Sequence, residues 1–187
     1  MKKLLWVIAA LLMVNIGNVF AEDAPEFTAN MVAHLGADAP ANKVYVSRNY
    51  IRLEMPQGNY AIVDVRAKIT HVVLPKEEKY MDFPADVFRM PRYGKMLGTE
   101  IKRVSLGKQK ISGYDTEQFL VTRDIGAKMS ENMIQWLRSD NIAVKLASGD
   151  ENWSVTLSDI VPGKQNDSLF GIPYTYKGYD QYGHELR

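Results

Sequence analysis

Cysteine is absent from all 187 residues. That excludes disulfides, thiolate zinc sites, a cysteine nucleophile and the lipidated cysteine of a bacterial lipoprotein. Histidine is scarce: His34, His71 and His184 stand too far apart to form a closely spaced ligand pair, and zinc would need a third ligand and an outer shell besides. An excess of one charge is also missing, because 23 Lys and Arg face 22 Asp and Glu. The basic residues are scattered among the acidic ones, so there is no electrostatic footprint for nucleic acid and no basic run for an anionic membrane surface. No internal repeat, low-complexity stretch or linker divides the chain.

The one apolar run, Leu4 to Val14, is too short for a membrane span, which takes about 20 residues. It follows Lys2 and Lys3 and precedes Val19-Phe20-Ala21. A charged start, a short apolar middle and small residues at the cleavage positions form an export signal, with cleavage expected after Ala21. The exported chain is then expected to be periplasmic, soluble and unanchored. Taking 21 residues from 187 leaves 166, a single-domain length that buries about 70% of the unfolded surface without covalent staples. Its balance is 21 basic against 22 acidic residues, since Lys2 and Lys3 leave with the signal.

From Lys43 to Phe83 the chain reads as a meander of short strands: Lys43 to Val46, Tyr50 to Met55, Tyr60 to Arg66, His71 to Leu74 and Lys79 to Phe83. Turn residues punctuate it, most clearly Pro56-Gln57-Gly58-Asn59. Connections this short demand antiparallel neighbours. Ala61, Val63 and Val65 alternate with Ile62, Asp64 and Arg66, giving one wholly apolar face and one mixed face. Ala85 to Met90 is predicted to form a short helix, ended by Pro91, that caps the sheet. Strands resume at Glu100 to Leu106, Gln109 to Ser112, Glu117 to Arg123, Asn132 to Leu137 and Ile142 to Leu146. Ser130 to Leu137 also fits a helical stripe, and periodicity does not decide so short a run. In the last clear strand Trp153, Val155 and Leu157 face one way while Ser154, Thr156 and Ser158 face the other. The tail from Tyr174 to Arg187 has little apolar content and is expected to be loosely ordered. The domain proper is therefore residues 22–173.

No catalytic signature survives inspection, and the chain is not expected to be an enzyme or to carry a cofactor or metal. Ser105-Leu106-Gly107-Lys108 and Ser139-Asp140-Asn141 match two motifs of penicillin-recognising enzymes, but that chemistry needs the serine to open a helix. Here Gly107 and a β-like neighbour put it between strands, and the Lys-Thr-Gly element is missing. His71, in a strand, reads as a half-buried packing residue. Glu77 and Glu78 lie in a turn and read as solvated. Arg52 with Glu54, and Asp64 with Arg66, read as the wet surface of the sheet.

What the chain does have is soft and aromatic apolar side chains, among them Met55, Tyr80, Met81, Phe83, Phe88, Met90, Met133, Trp136 and Trp153. Most serve a core; as a group they would also suit a greasy groove, because methionine repacks around different ligands. Met81, Phe83, Phe88, Met90 and Trp136, around the expected cap and its flanking strands, are the candidate lining residues.

A series of segments carries a resemblance. It runs through Phe27-Thr28-Ala29-Asn30-Met31, Lys43-Val44-Tyr45-Val46 and Ile51-Arg52-Leu53-Glu54-Met55, then Leu74-Pro75 with Lys79-Tyr80-Met81. Gly113-Tyr114-Asp115-Thr116-Glu117-Gln118-Phe119, Trp136-Leu137, Val144-Lys145, Trp153, Asp159-Ile160 and Ser168-Leu169-Phe170-Gly171-Ile172-Pro173 complete it. In this order the chain resembles an exported bacterial family of unknown function within the LolA/LolB-like lipoprotein-carrier superfamily. The resemblance implies a mainly β, α+β fold: a strongly curved antiparallel sheet forming a half-open barrel, with one or two short capping helices over a concave side that holds acyl chains. It implies a periplasmic carrier of a lipid, an acylated protein or another amphiphile. The competing expectations are a structural or interaction module of the cell envelope and a hydrolase whose site is dispersed along the chain.

Overall fold

The computed structural model describes residues 25–35, 41–85, 93–95, 97 and 99–186. The expected signal segment therefore lies outside the described residues, as does the expected cap helix beyond Ala85.

Among the described residues twelve strands form one sheet. They are β1 (Phe27–Leu35), β2 (Asn42–Val46), β3 (Tyr50–Glu54), β4 (Tyr60–Asp64), β5 (Ile69–Leu74), β6 (Lys79–Pro84), β7 (Glu100–Ile111), β8 (Tyr114–Gly126), β9 (Met129–Leu137), β10 (Ala143–Ser148), β11 (Trp153–Pro162) and β12 (Lys177–Asp180). Their order across the sheet is β12-β6-β5-β4-β3-β2-β1-β11-β10-β9-β8-β7. Two meanders, β2 to β6 and β7 to β11, thus lie on either side of β1. Every pairing is antiparallel except that of β12 with β6, which is parallel. The expected antiparallel meander is present, and the stretch from Ser130 to Leu137 is strand rather than helix. The tail expected to be loose instead supplies β12 and lays Tyr176 against the outer core. Among the described residues helix is confined to short 3-10 turns at Pro56–Gly58, Pro75–Glu77 and Asp167–Phe170.

Because side chains alternate along a strand, register assigns each to a face. One face collects Phe27, Ala29, Met31, Val44, Leu146, Leu157 and Met133 in the main core. Tyr93 and Leu97, in the stretch between β6 and β7, lie against it. Tyr93 packs edge-on to Phe27 at 5.9 Å, and its hydroxyl donates to Met31 Sδ at 3.2 Å. Its carbonyl accepts the N–H of Ala143 at 2.7 Å. We call this the inner face. On the outer face Tyr60, Ile62 and Val73 pack against Phe170, Leu169 and Ile172 from the C-terminal segment.

The sheet is curved. Tyr114 on β8 accepts a hydrogen bond from the N–H of Ile160 on β11 at 2.8 Å, although β9 and β10 lie between them in strand order. In a flat sheet three strand spacings would separate those strands by about 14 Å, farther than a tyrosine side chain reaches. A bulge between Thr28 and Asn30 adds a bend where β1 meets β11, with Asp159 at φ 50° opposite it.

Candidate functional site

The inner face does not end with the core. Following the register outward from β2, Val44 stands beside Leu53, Leu53 beside Ala61, Ala61 beside Val72, and Val72 beside Met81. A second row runs Val46, Ile51, Val63, Thr70, Phe83. Thr70 is the only hydroxyl in the two rows. Val44, Val46 and Val63 are buried, whereas Leu53, Val72, Met81 and Phe83 are only partly so. Ile51 and Leu53 still touch the main core, whereas Val72, Met81 and Phe83 belong to no core cluster among the described residues. The outcome is an apolar surface across β3 to β6, half covered and lined by branched, methionine and aromatic side chains. Tyr179 of β12 stands beside Met81 at its far edge.

Of the five expected lining residues, Met81 and Phe83 are two residues apart on β6 and share this surface. Phe88 and Met90 lie outside the described residues. Trp136 does not join the others: Met133 and Leu137 of β9 point inward with the main core, which turns Trp136 to the outer face. There it is 3% exposed, donates Nε1–H to Gln109 Oε1 at 2.8 Å and lies 4.6 Å beneath Lys145 Nζ. That is a satisfied packing role. The residues that sequence reasoning left out are Leu53, Ala61 and Val72. The alternation of Ala61, Val63 and Val65 was the available signal, but pairing it with Met81 requires the register.

The outer face of the same strands carries polar pairs. His71 Nδ1 lies 2.5 Å from Asp82 Oδ1, across the β5–β6 hairpin, with Tyr80 edge-on at 6.0 Å. A carboxylate-oriented histidine is one half of a nucleophile-activating site, yet its cross-strand neighbours on that face, Ile62 and Asp82, supply no nucleophile. Arg52 bonds Glu54 at 2.8 Å and the carbonyl of Leu169 at 2.8 Å, and stacks 3.7 Å over Tyr60. Burial raises the Tyr60 phenol above its ordinary pKa against the opposing effect of Arg52. The wet strand surface expected from these residues is thus a clamp on the C-terminal segment.

Elsewhere, a cleft of about 800 Å³ lies between the ends of β7, β8 and β9, floored by Phe119 and Leu137. Its rim is polar, and two of its cations are engaged, Lys110 with Asp115 at 3.1 Å and Arg138 with Asp140 at 2.7 Å. Among the described residues no group of three or more His, Asp or Glu could hold a metal ion, and no helix is long and apolar enough to cross a membrane. Ser105 and Lys108 sit within β7, so the serine does not open a helix.

No family model matches the chain, and no curated protein matches it in sequence. Solved structures do. An uncharacterised conserved protein from Thermus thermophilus is similar over 94% of this chain and 99% of its own, at 10% identity and a TM-score of 0.53. MucB of Pseudomonas aeruginosa is similar over 91% of this chain at 9% identity and a TM-score of 0.52, and the match spans 64% of MucB. The likeness is one of fold: a curved, open antiparallel sheet, a half-open barrel. A domain from Vibrio parahaemolyticus assigned to outer-membrane lipoprotein sorting also aligns over 85% of this chain and 95% of its own, at 10% identity and a TM-score of 0.37. In this half-barrel the concave side is the inner face, and its open part is the apolar surface of β3 to β6.

Proposed function

We propose that the half-barrel is a non-enzymatic binding or carrier protein of the bacterial cell envelope, exported to the periplasm by its first 21 residues. Its ligand is an acyl chain of a lipid, an acylated protein or another amphiphile, laid along the inner face of β3 to β6. The observation that carries this reading is the pair of apolar rows ending in Met81 and Phe83, outside every core cluster among the described residues. Each buried methylene contributes about 0.8 kcal/mol, so a sixteen-carbon chain offers about 12 kcal/mol before ordering costs. Such binding needs no reacting group, only a dry, deformable wall, and methionine and phenylalanine supply one. The mechanism is reversible sequestration.

Protein stripped of lipid and incubated with a membrane extract is expected to return bound lipid in native mass spectrometry. Repeated recovery of empty protein overturns the reading. A second reading, an interaction module, draws on MucB, a protein solved in complex with MucA. Co-purification of a protein partner in place of lipid would favour it.

A further inference from the structure

The two edges of the sheet are finished differently. At one edge β12 has only four residues, and the chain folds back over it: Tyr179 bridges Glu185, Leu186 N–H bonds the Gly178 carbonyl at 2.8 Å, and Asp180 N–H bonds the His184 carbonyl at 2.8 Å. At the other edge β7 has twelve residues and, among the described residues, pairs with β8 alone. Its outward backbone groups are a template for another strand. Ile101, Val104 and Leu106 on it are 65%, 39% and 51% exposed.

Charge decides what fits. Lys102, Lys108 and Lys110 are exposed along β7, Lys110 in a solvent-exposed pair with Asp115 at 3.1 Å, while its one acidic residue, Glu100, is engaged by Arg103 at 2.8 Å. A second copy pairing antiparallel about Gln109 sets Lys108 against Lys110 of the other chain on one face of the sheet. Like charges directly opposite oppose pairing. The same lysines favour an acidic strand. The inner neighbour gives the pattern: β8 sets Glu117 opposite Lys108 and Asp115 opposite Lys110.

We infer that β7 accepts an extended acidic segment of another protein as a thirteenth strand. Its carboxylates lie on the face of Lys108 and Lys110, and its branched apolar residues on the face of Val104. This surface is on the opposite edge of the sheet from the acyl face and does not depend on it.

The probe is a fluorescent decapeptide alternating glutamate and valine, with a lysine–valine peptide as its counterpart. Anisotropy is expected to show binding of the acidic peptide alone, weakened about tenfold or more when salt rises from about 50 to about 500 mM. Amide hydrogen exchange is expected to slow across residues 102–110 in the complex. The triple variant Lys102→Glu, Lys108→Glu, Lys110→Glu should lose the acidic peptide while keeping its circular dichroism and its palmitate binding. No binding, equal binding of both peptides, binding without protection of β7, or concentration-dependent dimers in sedimentation that the triple variant abolishes would each overturn the inference.

Discussion

The hydroxyl of Tyr114 accepts the backbone N–H of Ile160 at 2.8 Å, joining β8 to β11 across the ends of the two strands between them. Arg138 stacks 4.6 Å from the same ring. This bond holds the curl of the half-barrel at one end. Tyr114→Phe keeps the ring but leaves a half-buried N–H without its acceptor, a loss of about 1–3 kcal/mol. Urea denaturation should show the midpoint falling with the slope unchanged, and an unaltered midpoint would remove this bond from the forces that bend the sheet.

The inner face makes a second prediction. Val72→Glu and Met81→Glu place a carboxylate among half-exposed apolar side chains, where it stays hydrated, so stability should change by no more than about 1 kcal/mol. Palmitate affinity, measured by calorimetry, should fall at least about tenfold, or 1.4 kcal/mol. Thr122→Glu, on the outer face of β8, is the matched control and should leave palmitate binding intact. Equal losses in all three variants would show that the effect is not local to this face.

Tyr93 links folding to alkaline pH. Burial pushes its phenol well above the ordinary tyrosine range, so the folded state holds a proton that the unfolded chain releases near pH 10. The sign follows from that: the contribution is complete below about pH 10 and is lost as pH rises above it. Tyr93→Phe removes this contribution and should flatten the fall in denaturation midpoint between about pH 9 and 11. Tyr60, raised more modestly by burial, keeps some slope in the variant. Parallel profiles for the two proteins would contradict the assignment.

Gly178 tests how β12 docks. A Cβ at this position would run into the ring of Tyr80, which is itself held in the outer core and against His71. Gly178→Ala is therefore expected to undock β12 at a cost of about 1–3 kcal/mol. Limited proteolysis should then cut between Phe170 and Lys177 faster than in the parent. Combining it with Tyr80→Leu should restore resistance, and failure of that rescue would point to a cause other than this clash.

Much of the fold was legible because turn residues and alternation are local signals. The β2 to β6 meander follows from Pro56-Gln57-Gly58-Asn59 and from short connections that admit only antiparallel pairing. What was missed lacks a local signal. In β1 the inward positions Ala29 and Ala33 are too small to mark a face, although Phe27 and Met31 share it. β12 reads Lys177-Gly178-Tyr179-Asp180, with nothing apolar to announce a strand but one tyrosine. Gly107 looked like a break and is instead carried through β7 at φ 108° beside a bulge. Trp136 was grouped with Met81 because period two separates the faces of one strand without saying which face meets that of a distant strand. Only register supplies that.

The position of β1 has a kinetic consequence. Phe27 pairs with Val46 on one side and with Pro162 on the other, so the first described strand joins two meanders whose internal pairings are between strands adjacent in sequence. Each meander can organise as soon as its own residues are available, but their union waits for β11, and closing so long a loop is slow. A refolding experiment should therefore separate an early phase, in which the two halves form independently, from a late one in which β1 and β11 zip together.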